Sequence, residues 1–232
     1  GGTTRRAAKM VCLDMDHPQI VDFINWKVKE ERKPGNLIQQ GGYDANFNGE
    51  AYHTVSGQNS NNSVRVSDDF MNAVVQGGKW QTKFRTSDRV CETFEAKDLM
   101  RQVAQAAWQC ADPGVQYDTT INDWHTCAKT DRIYASNPCS EYMFLNDSAC
   151  NLSSLNLMKF IDEKGEFQIE DFRHAVRVFT TAMEILVDFA SYPTKSLAQN
   201  SHDYRPLGLG YANLGTLLMT SGISYDSPKG RA

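Results

Sequence analysis

Four side chains in one short stretch of the chain could carry out chemistry on a small molecule. Asn137, Cys139 and Glu141 occupy alternate positions, and Cys150 follows nine residues after Glu141. In an extended segment, alternate residues share one face, so an amide, a thiol and a carboxylate would point at the same substrate. The pattern therefore predicts a hydrogen-bond donor, a sulfur and a base that converge on one small molecule.

Packing is the alternative role for each of these cysteines. A cysteine outside a disulfide most often behaves as a small buried hydrophobe, and alternation alone favours that reading for Cys139. The remaining four cysteines have no motif around them, and we expect them to be structural: Cys12, Cys91, Cys110 and Cys127.

The surroundings of these residues resemble a known family. Residues 137–145 and 149–152 are similar to the finger-loop region of ribonucleotide reductases, in the adenosylcobalamin-dependent (class II) branch. The resemblance spans the chain nearly end to end, because four further segments match the family in the same order: 1–10, 57–66, 116–122 and 207–215.

The resemblance implies reduction of ribonucleotides to 2′-deoxyribonucleotides through a cysteine thiyl radical. Cys139 would abstract the 3′ hydrogen of the ribose and later return it. Glu141 would act as general base on the 3′-hydroxyl, and Asn137 would hydrogen-bond the ribose hydroxyls. The substrate-binding segment implied by the resemblance includes Pro138 and Ser140 as well.

The resemblance also implies roles for Cys150 and for the start of the chain. Cys150 would be one of two thiols that become a disulfide, which a thioredoxin-like protein then reduces by thiol–disulfide exchange. In the family the partner cysteine lies upstream of the segment that matches Gly1, and no motif supports Cys12 as a substitute. A loop that passes effector information to the substrate would comprise Gly1, Gly2, Thr3, Thr4, Arg5 and Arg6.

Adenosylcobalamin is the radical generator that the resemblance implies, with a deoxynucleotide as effector and a homodimer for the full-length protein. Two alternatives stay open. The first is the same chemistry started by a separate metal-containing radical subunit (class I), which the short interval between Cys139 and Cys150 disfavours. The second is a catalytically inactive nucleotide-binding module, which the presence of all three ribose-facing groups disfavours.

The sequence predicts no metal site built from protein side chains. Residues 123–128 come close to the cobalamin-binding motif D-x-H-x-x-G, but Ala128 stands where that motif has glycine. We therefore do not predict His125 as a cobalt ligand. His125 and Cys127 also fail as half of a zinc site, since the chain has no C-x-x-C pair.

Composition narrows the class of protein. The 232 residues are 41% hydrophobic with a net charge of −4, as in a soluble globular protein. The absence of a basic run disfavours nucleic-acid binding, and no apolar stretch reaches the ~20 residues that would span a membrane. Six cysteines without a secretory signal favour a reducing cytoplasm. We read residues 1–232 as the central part of a catalytic barrel domain, inactive when alone.

Strands that alternate with helices predict an α/β fold. The resemblance implies part of a ten-stranded α/β barrel with a central finger loop that carries Cys139. The predicted elements are a strand at 9–14, a helix from about 18 to Pro34-Gly35, a loop at 36–63, a strand at 64–66, a helix from Ser67 to Gly77, a helix at 99–110, irregular chain at 115–157, and helices at 169–190 and 207–220.

Overall fold

The computed structural model of the protein describes residues 7–232. The predicted effector loop, Gly1 to Arg6, lies outside the described residues. The chain divides into two compact units, the first ending at Asn146 and the second spanning Asp147–Ala232.

The first unit alternates strands and helices. Its elements in chain order are β1 (Lys9–Asp14), α1 (Ile20–Gly41), α2 (Glu50–His53), β2 (Ser60–Val66), α3 (Asp68–Gln76), β3 (Lys79–Lys83), β4 (Val90–Glu95), α4 (Ala96–Cys110), β5 (Gly114–Tyr117) and α5 (Asp118–Asp123).

A parallel three-stranded sheet lies at the centre of this unit, with the strand order β1-β2-β5. The central strand β2 is buried along nearly its whole length, as expected for a strand with a neighbour on each side. The register sets Asp14 opposite Arg65, and Arg65 opposite Gln116. Polar side chains from all three strands therefore meet near the carboxyl ends of the strands, where open parallel sheets usually bind ligands.

Helices α1, α3 and α4 bury their apolar stripes against this sheet. Ile20, Ile24 and Val28 recur every four residues along α1 and are buried, as one face of a helix predicts. Phe70 from α3 is fully buried in the same core and meets the Trp80 ring edge-on, with 5.1 Å between ring centroids.

Two of the predicted helices in this unit agree closely with the structure. The Ser67 side chain accepts a hydrogen bond from the Phe70 backbone N–H at the start of α3, and Gly77 ends that helix at a φ of 68°. Ser67 thus supplies an N-cap, and Gly77 adopts the left-handed conformation that glycine tolerates. The prediction for 99–110 is confirmed by α4, which begins three residues earlier.

The prediction for the region after Pro34 was wrong. Helix α1 continues through Pro34 to Gly41, although proline removes one backbone hydrogen bond from a helix interior. The Pro34 ring is buried, and that packing is absent from any local sequence pattern. The predicted loop at 36–63 accordingly contains the end of α1, all of α2 and the first half of β2.

The second unit is a smaller α/β arrangement. Its elements are β6 (Asn151–Asn156), a 3-10 helix (Leu157–Phe160), α6 (Ile169–Phe189), α7 (Lys195–Tyr204), β7 (Leu207–Ala212), α8 (Leu214–Thr220) and α9 (Pro228–Arg231). Strand β7 pairs parallel with β6, and α6 lies in the connection between them. The predicted helix at 169–190 is confirmed by α6.

The predicted helix at 207–220 was wrong for its first six residues, which form strand β7. Gly208 explains why this strand can lie where it does. A Cβ atom built on Gly208 would come within 2.5 Å of Leu152 Cδ2 and 3.2 Å of Cys150 Sγ. The glycine therefore permits close approach of the two strands β6 and β7.

Parallel strands joined by helical crossovers confirm the α/β prediction. Within residues 7–232 the strands form one three-stranded and two two-stranded sheets, and none of these sheets closes into a barrel. No helix in this part of the chain is both long enough and apolar enough to cross a membrane.

The core position of Phe70 generates a stability prediction. Replacement of Phe70 by alanine should lower the free energy of unfolding by about 3–5 kcal/mol, because it removes a fully buried ring and leaves a cavity. Chemical denaturation followed by far-ultraviolet circular dichroism measures the change. Phe47→Ala is the control, since the Phe47 side chain is 58% exposed. Equal destabilisation by the two substitutions would contradict the assigned core.

Candidate functional site

A tight turn presents Cys139. The Asn137 carbonyl oxygen accepts a hydrogen bond from the Ser140 N–H at 3.0 Å, so residues 137–140 form a β-turn with Pro138 at its second position. Proline suits that position because its φ is already fixed near the required value. Ser140 follows with a φ of 65°, in the left-handed region. The turn projects Cys139, which is exposed.

Asn137 also closes the wider loop through its side chain. Its backbone N–H donates to the Tyr142 carbonyl oxygen at 3.3 Å, and its Oδ1 accepts from the Tyr142 N–H at 3.0 Å. The carbonyl half of the amide is thus used within the loop. The Nδ2 atom is the half of the Asn137 side chain that remains for a ligand.

The extended geometry on which the shared face was predicted is wrong. Residues 137–141 include a turn, and the positive φ of Ser140 reverses the chain between Cys139 and Glu141. Cys139 and Glu141 are both exposed, and Asn137 is half-buried. The turn brings these three residues into one short loop by a different route from strand alternation.

Gln116 connects this loop to the parallel sheet. Its side chain is buried, and its Nε2 donates to Ser136 Oγ at 2.7 Å and to Ser140 Oγ at 3.4 Å. Ser136 Oγ in turn donates to the Asn137 carbonyl oxygen at 2.8 Å. One buried amide group therefore contacts residues on both sides of Cys139.

Arg65 lies behind Gln116 and is itself almost fully buried, at 3% exposure. Its Nη1 donates to Gln116 Oε1 at 3.2 Å, and its Nη2 donates to the Ile133 carbonyl oxygen at 2.8 Å. Asp118 pairs with the guanidinium through Oδ1 and with Arg132 through Oδ2 at 2.5 Å. The buried charge is thus neutralised and hydrogen-bonded, as a stable buried charge requires.

Cys12 reaches the same cluster from β1. Its Sγ lies 3.4 Å from Gln116 Oε1 and donates to it. Burial raises the pKa of the Cys12 thiol, and the Ser136 backbone and the Arg65 charge offset that rise in part. A protonated Cys12 is consistent with its action as a donor here.

Cys150 belongs to the second unit, directly before β6. Its sulfur is half-buried and lies against the backbone of Gly208, as the close approach described above shows. No disulfide joins any two cysteines of the described residues. His125, which we do not predict as a cobalt ligand, contacts the Asp131 carbonyl oxygen through Nε2 at 3.0 Å.

A cavity of about 550 Å³ opens in the first unit beside Gln116. Its walls are mostly apolar or aromatic, and most of them come from residues 115–126, with Ile133 and Met143 contributed from later in the chain. Six of the lining residues are Tyr117, Ile121, Trp124, His125, Ile133 and Met143. Within the described part of the chain, no cluster of three or more His, Cys, Asp or Glu side chains is placed to hold a metal ion.

Comparison with known proteins gives a consistent result. The family model for "Ribonucleotide reductase, barrel domain" matches residues 1–232. The chain belongs to the ribonucleotide reductase family.

Relatives in this family align with the whole chain. A "Vitamin B12-dependent ribonucleotide reductase" of Rhodopirellula baltica is 57% identical over 233 residues, which cover 100% of this chain and 22% of the relative. A protein of the same name from Streptomyces avermitilis is 53% identical over 100% of this chain and 24% of the relative. One from Agrobacterium fabrum is 43% identical over 100% of this chain and 24% of the relative. The chain thus spans about a quarter of the length of these reductases.

The exposures of the cysteines in this reductase chain predict their reactivity. At pH 8, iodoacetamide should label Cys139 at least ~10-fold faster than Cys12, because Cys139 is exposed and Cys12 is half-buried with a raised pKa. The thiolate is the reacting form, so a raised pKa lowers the reactive fraction of Cys12 and shifts its labelling to higher pH. Peptide mass spectrometry measures both rates.

Two controls accompany this measurement. In 8 M urea the difference between the two thiols should largely disappear, since it arises from the fold. Cys139→Ser should remove the fast-labelled peptide and leave the slow one. Native-state labelling of Cys12 at the rate of Cys139 would show that the described packing around Cys12 is incorrect.

Proposed function

We propose that the protein to which this chain belongs reduces ribonucleotides to 2′-deoxyribonucleotides, with Cys139 as the thiol that forms the radical. The observation that carries the proposal is the exposed Cys139 on a turn that the buried Gln116 amide contacts on both sides, at Ser136 and Ser140. Family membership and the names of the relatives support the reaction class.

Each residue of the loop has a proposed task. The Cys139 thiyl radical takes the 3′ hydrogen atom, which breaks the C3′–H bond and forms an S–H bond. Glu141 accepts the proton of the 3′-hydroxyl, and Asn137 donates to a ribose hydroxyl through Nδ2. The 2′-hydroxyl then takes a proton from a nearby thiol pair and leaves as water, and the 3′ oxygen becomes a carbonyl.

Two electrons and two protons are needed to complete the reduction, and a pair of thiols supplies them. We propose Cys150 as one thiol of that pair, with its partner on an upstream part of the full-length protein. Oxidation of the pair forms a disulfide, and Cys139 returns its hydrogen atom to C3′. A thioredoxin-like protein then reduces the disulfide by thiol–disulfide exchange and restores the two thiols. This regeneration requires a reducing compartment such as the cytoplasm.

Adenosylcobalamin is the cofactor we propose, following the vitamin B12 dependence named for the relatives. When bound, it supplies the deoxyadenosyl radical that oxidises a cysteine thiol. The cavity beside Gln116 suits a nucleoside-sized organic group in volume and lining. We propose that Trp124 and Tyr117 contact the cofactor there, because both rings line the cavity and are exposed. His125 also lines the cavity, but we do not propose it as a ligand of the cobalt ion.

The finer architecture is part of the proposal. In the full-length protein, residues 1–232 would form the central part of a ten-stranded α/β barrel, and the loop around Cys139 would be its finger loop. Gly1 to Arg6 would relay a deoxynucleotide effector, and the full-length protein would be a homodimer. This segment alone should be inactive, because the partner of Cys150 would come from elsewhere in the protein.

A reductase that uses a separate radical subunit is the alternative for the same chemistry. The names of the relatives favour the cobalamin branch over this alternative. An inactive nucleotide-binding module is disfavoured because Asn137, Cys139 and Glu141 share one exposed loop.

Replacement of Cys139 by serine tests the proposed reaction. In the full-length protein, Cys139→Ser should bind ribonucleotide within about twofold of the wild-type affinity and lose all detectable formation of deoxynucleotide. The O–H bond of serine is too strong to exchange a hydrogen atom with the sugar. Equilibrium dialysis and product chromatography measure the two properties.

Cys91→Ser is the control for that substitution, since Cys91 is likewise outside any disulfide but lies half-buried on β4, away from the Cys139 loop. It should keep wild-type turnover. Deoxynucleotide formation by Cys139→Ser at more than a trace would refute the role of Cys139. Loss of nucleotide binding would instead indicate that the substitution had disturbed the loop.

The cofactor cavity gives a second test. Trp124→Ala should weaken the binding of adenosylcobalamin to the full-length protein about 5- to 10-fold, because it removes an aromatic wall from the cavity. Equilibrium dialysis with the cofactor alone gives this affinity without reference to turnover. Trp108→Ala is the matched control, since Trp108 on α4 is 81% exposed and Trp124 is 83% exposed. An unchanged affinity of Trp124→Ala for adenosylcobalamin would exclude this cavity as the cofactor site.

A further inference from the structure

We infer that Gln116 is the positioning residue that holds the Cys139 turn in its working conformation. This inference rests on the proposed function for its effect on turnover, and on the geometry for its effect on the loop. Gln116 lies 24 positions before Ser140 in the sequence and has no contact with substrate in the roles described above.

Arg65 decides which way the Gln116 amide faces. A guanidinium can only donate hydrogen bonds, so the atom that lies 3.2 Å from Arg65 Nη1 must be the amide oxygen. The amide nitrogen must then face the opposite way, toward the loop. The charge of Arg65 thus fixes Gln116 as a donor to Ser136 and Ser140.

The two serines transmit this constraint to Cys139. Ser136 accepts from Gln116 and donates to the Asn137 carbonyl oxygen, which is the acceptor that closes the turn. Ser140 follows Cys139 directly and adopts a positive φ, which costs a non-glycine residue free energy unless neighbouring contacts hold it. The 3.4 Å contact to Gln116 and the 3.3 Å contact to Ser136 Oγ are such contacts.

Radical transfer makes the position of this sulfur critical. A hydrogen atom moves only over a short distance, so a thiol on a mobile turn would spend much of its time out of reach of C3′. A displacement of about 1 Å at a reacting group can lower a rate about 100-fold. An unconstrained turn should therefore lower kcat and leave substrate affinity largely unchanged.

The test uses Gln116→Met in the full-length enzyme. Methionine is close in shape but cannot bridge Arg65 to the serines. We expect kcat to fall about 10- to 100-fold with KM within about threefold of wild type. Amide hydrogen exchange of the 137–145 segment should accelerate at least ~10-fold, because the Ser140 and Tyr142 amides are hydrogen-bonded in the closed loop.

A second variant separates positioning from general destabilisation. Ser136→Ala removes the first acceptor of Gln116 and leaves the Arg65 contacts intact. It should lower kcat and accelerate exchange in the same segment. If both residues act through one path, the double variant should be no more impaired than Gln116→Met alone. Multiplication of the two single effects would overturn the shared path.

Gln102→Met is the matched control. Gln102 on α4 is half-buried and accepts a hydrogen bond from Asn25, but it contacts no residue of the loop. Its kcat should stay within about twofold of wild type, and exchange at 137–145 should not change.

The outcomes separate this inference from the proposed function. A wild-type protein that forms no deoxynucleotide with adenosylcobalamin and a dithiol would refute the proposed function, and the exchange rates alone would then decide the role of Gln116. Active wild type with unchanged kcat in Gln116→Met would overturn the inference and leave the proposed function standing. Unchanged exchange in both Gln116→Met and Ser136→Ala would overturn it in either case.

Discussion

Arg65 carries a permanent charge at a place where its side chain is almost wholly removed from water. A buried charge must be paired and hydrogen-bonded, and removal of one partner typically costs about 3–5 kcal/mol. The chain meets that requirement with Gln116 and Asp118, where β5 runs into α5, and with the Ile133 carbonyl oxygen from the segment before the Cys139 loop. The need to satisfy one guanidinium therefore holds the end of the parallel sheet to the segment that leads into the Cys139 loop.

The hydrogen bonds of Arg65 and Gln116 bear on two properties of the Cys139 loop, its exposure and its fixed position. The radical role proposed for Cys139 needs a thiol that is open to its substrate yet fixed in position, and these demands conflict on an ordinary surface turn. Here the Cys139 side chain is exposed, while the Gln116 amide that holds its turn through Ser136 and Ser140 is buried. Rigidity comes from polar contacts to the backbone and the serines, so the sulfur itself need not be packed.

Local patterns predicted the elements whose ends depend on local chemistry. Ser67 and Gly77 bound α3 as an N-cap and a left-handed C-cap, and the apolar stripe of α6 gave that helix to within one residue. Prediction failed where distant residues compete with local preference. Helix α1 continues through Pro34, whose ring is buried, although proline normally ends a helix. Residues 207–212 form a strand because they pair with β6.

The amino-acid sequence by itself determined the family, the α/β class and the candidate chemistry of Asn137, Cys139, Glu141 and Cys150, because these depend on residue types and their order. Only the tertiary structure decided that Cys139 lies on a turn, that Asn137 uses its carbonyl half to close the loop, and that Gln116 reaches across to Ser140. Hydrogen bonds between residues far apart in the chain leave no periodic signal in sequence. Their partners become known only when the strands that carry them are set in register.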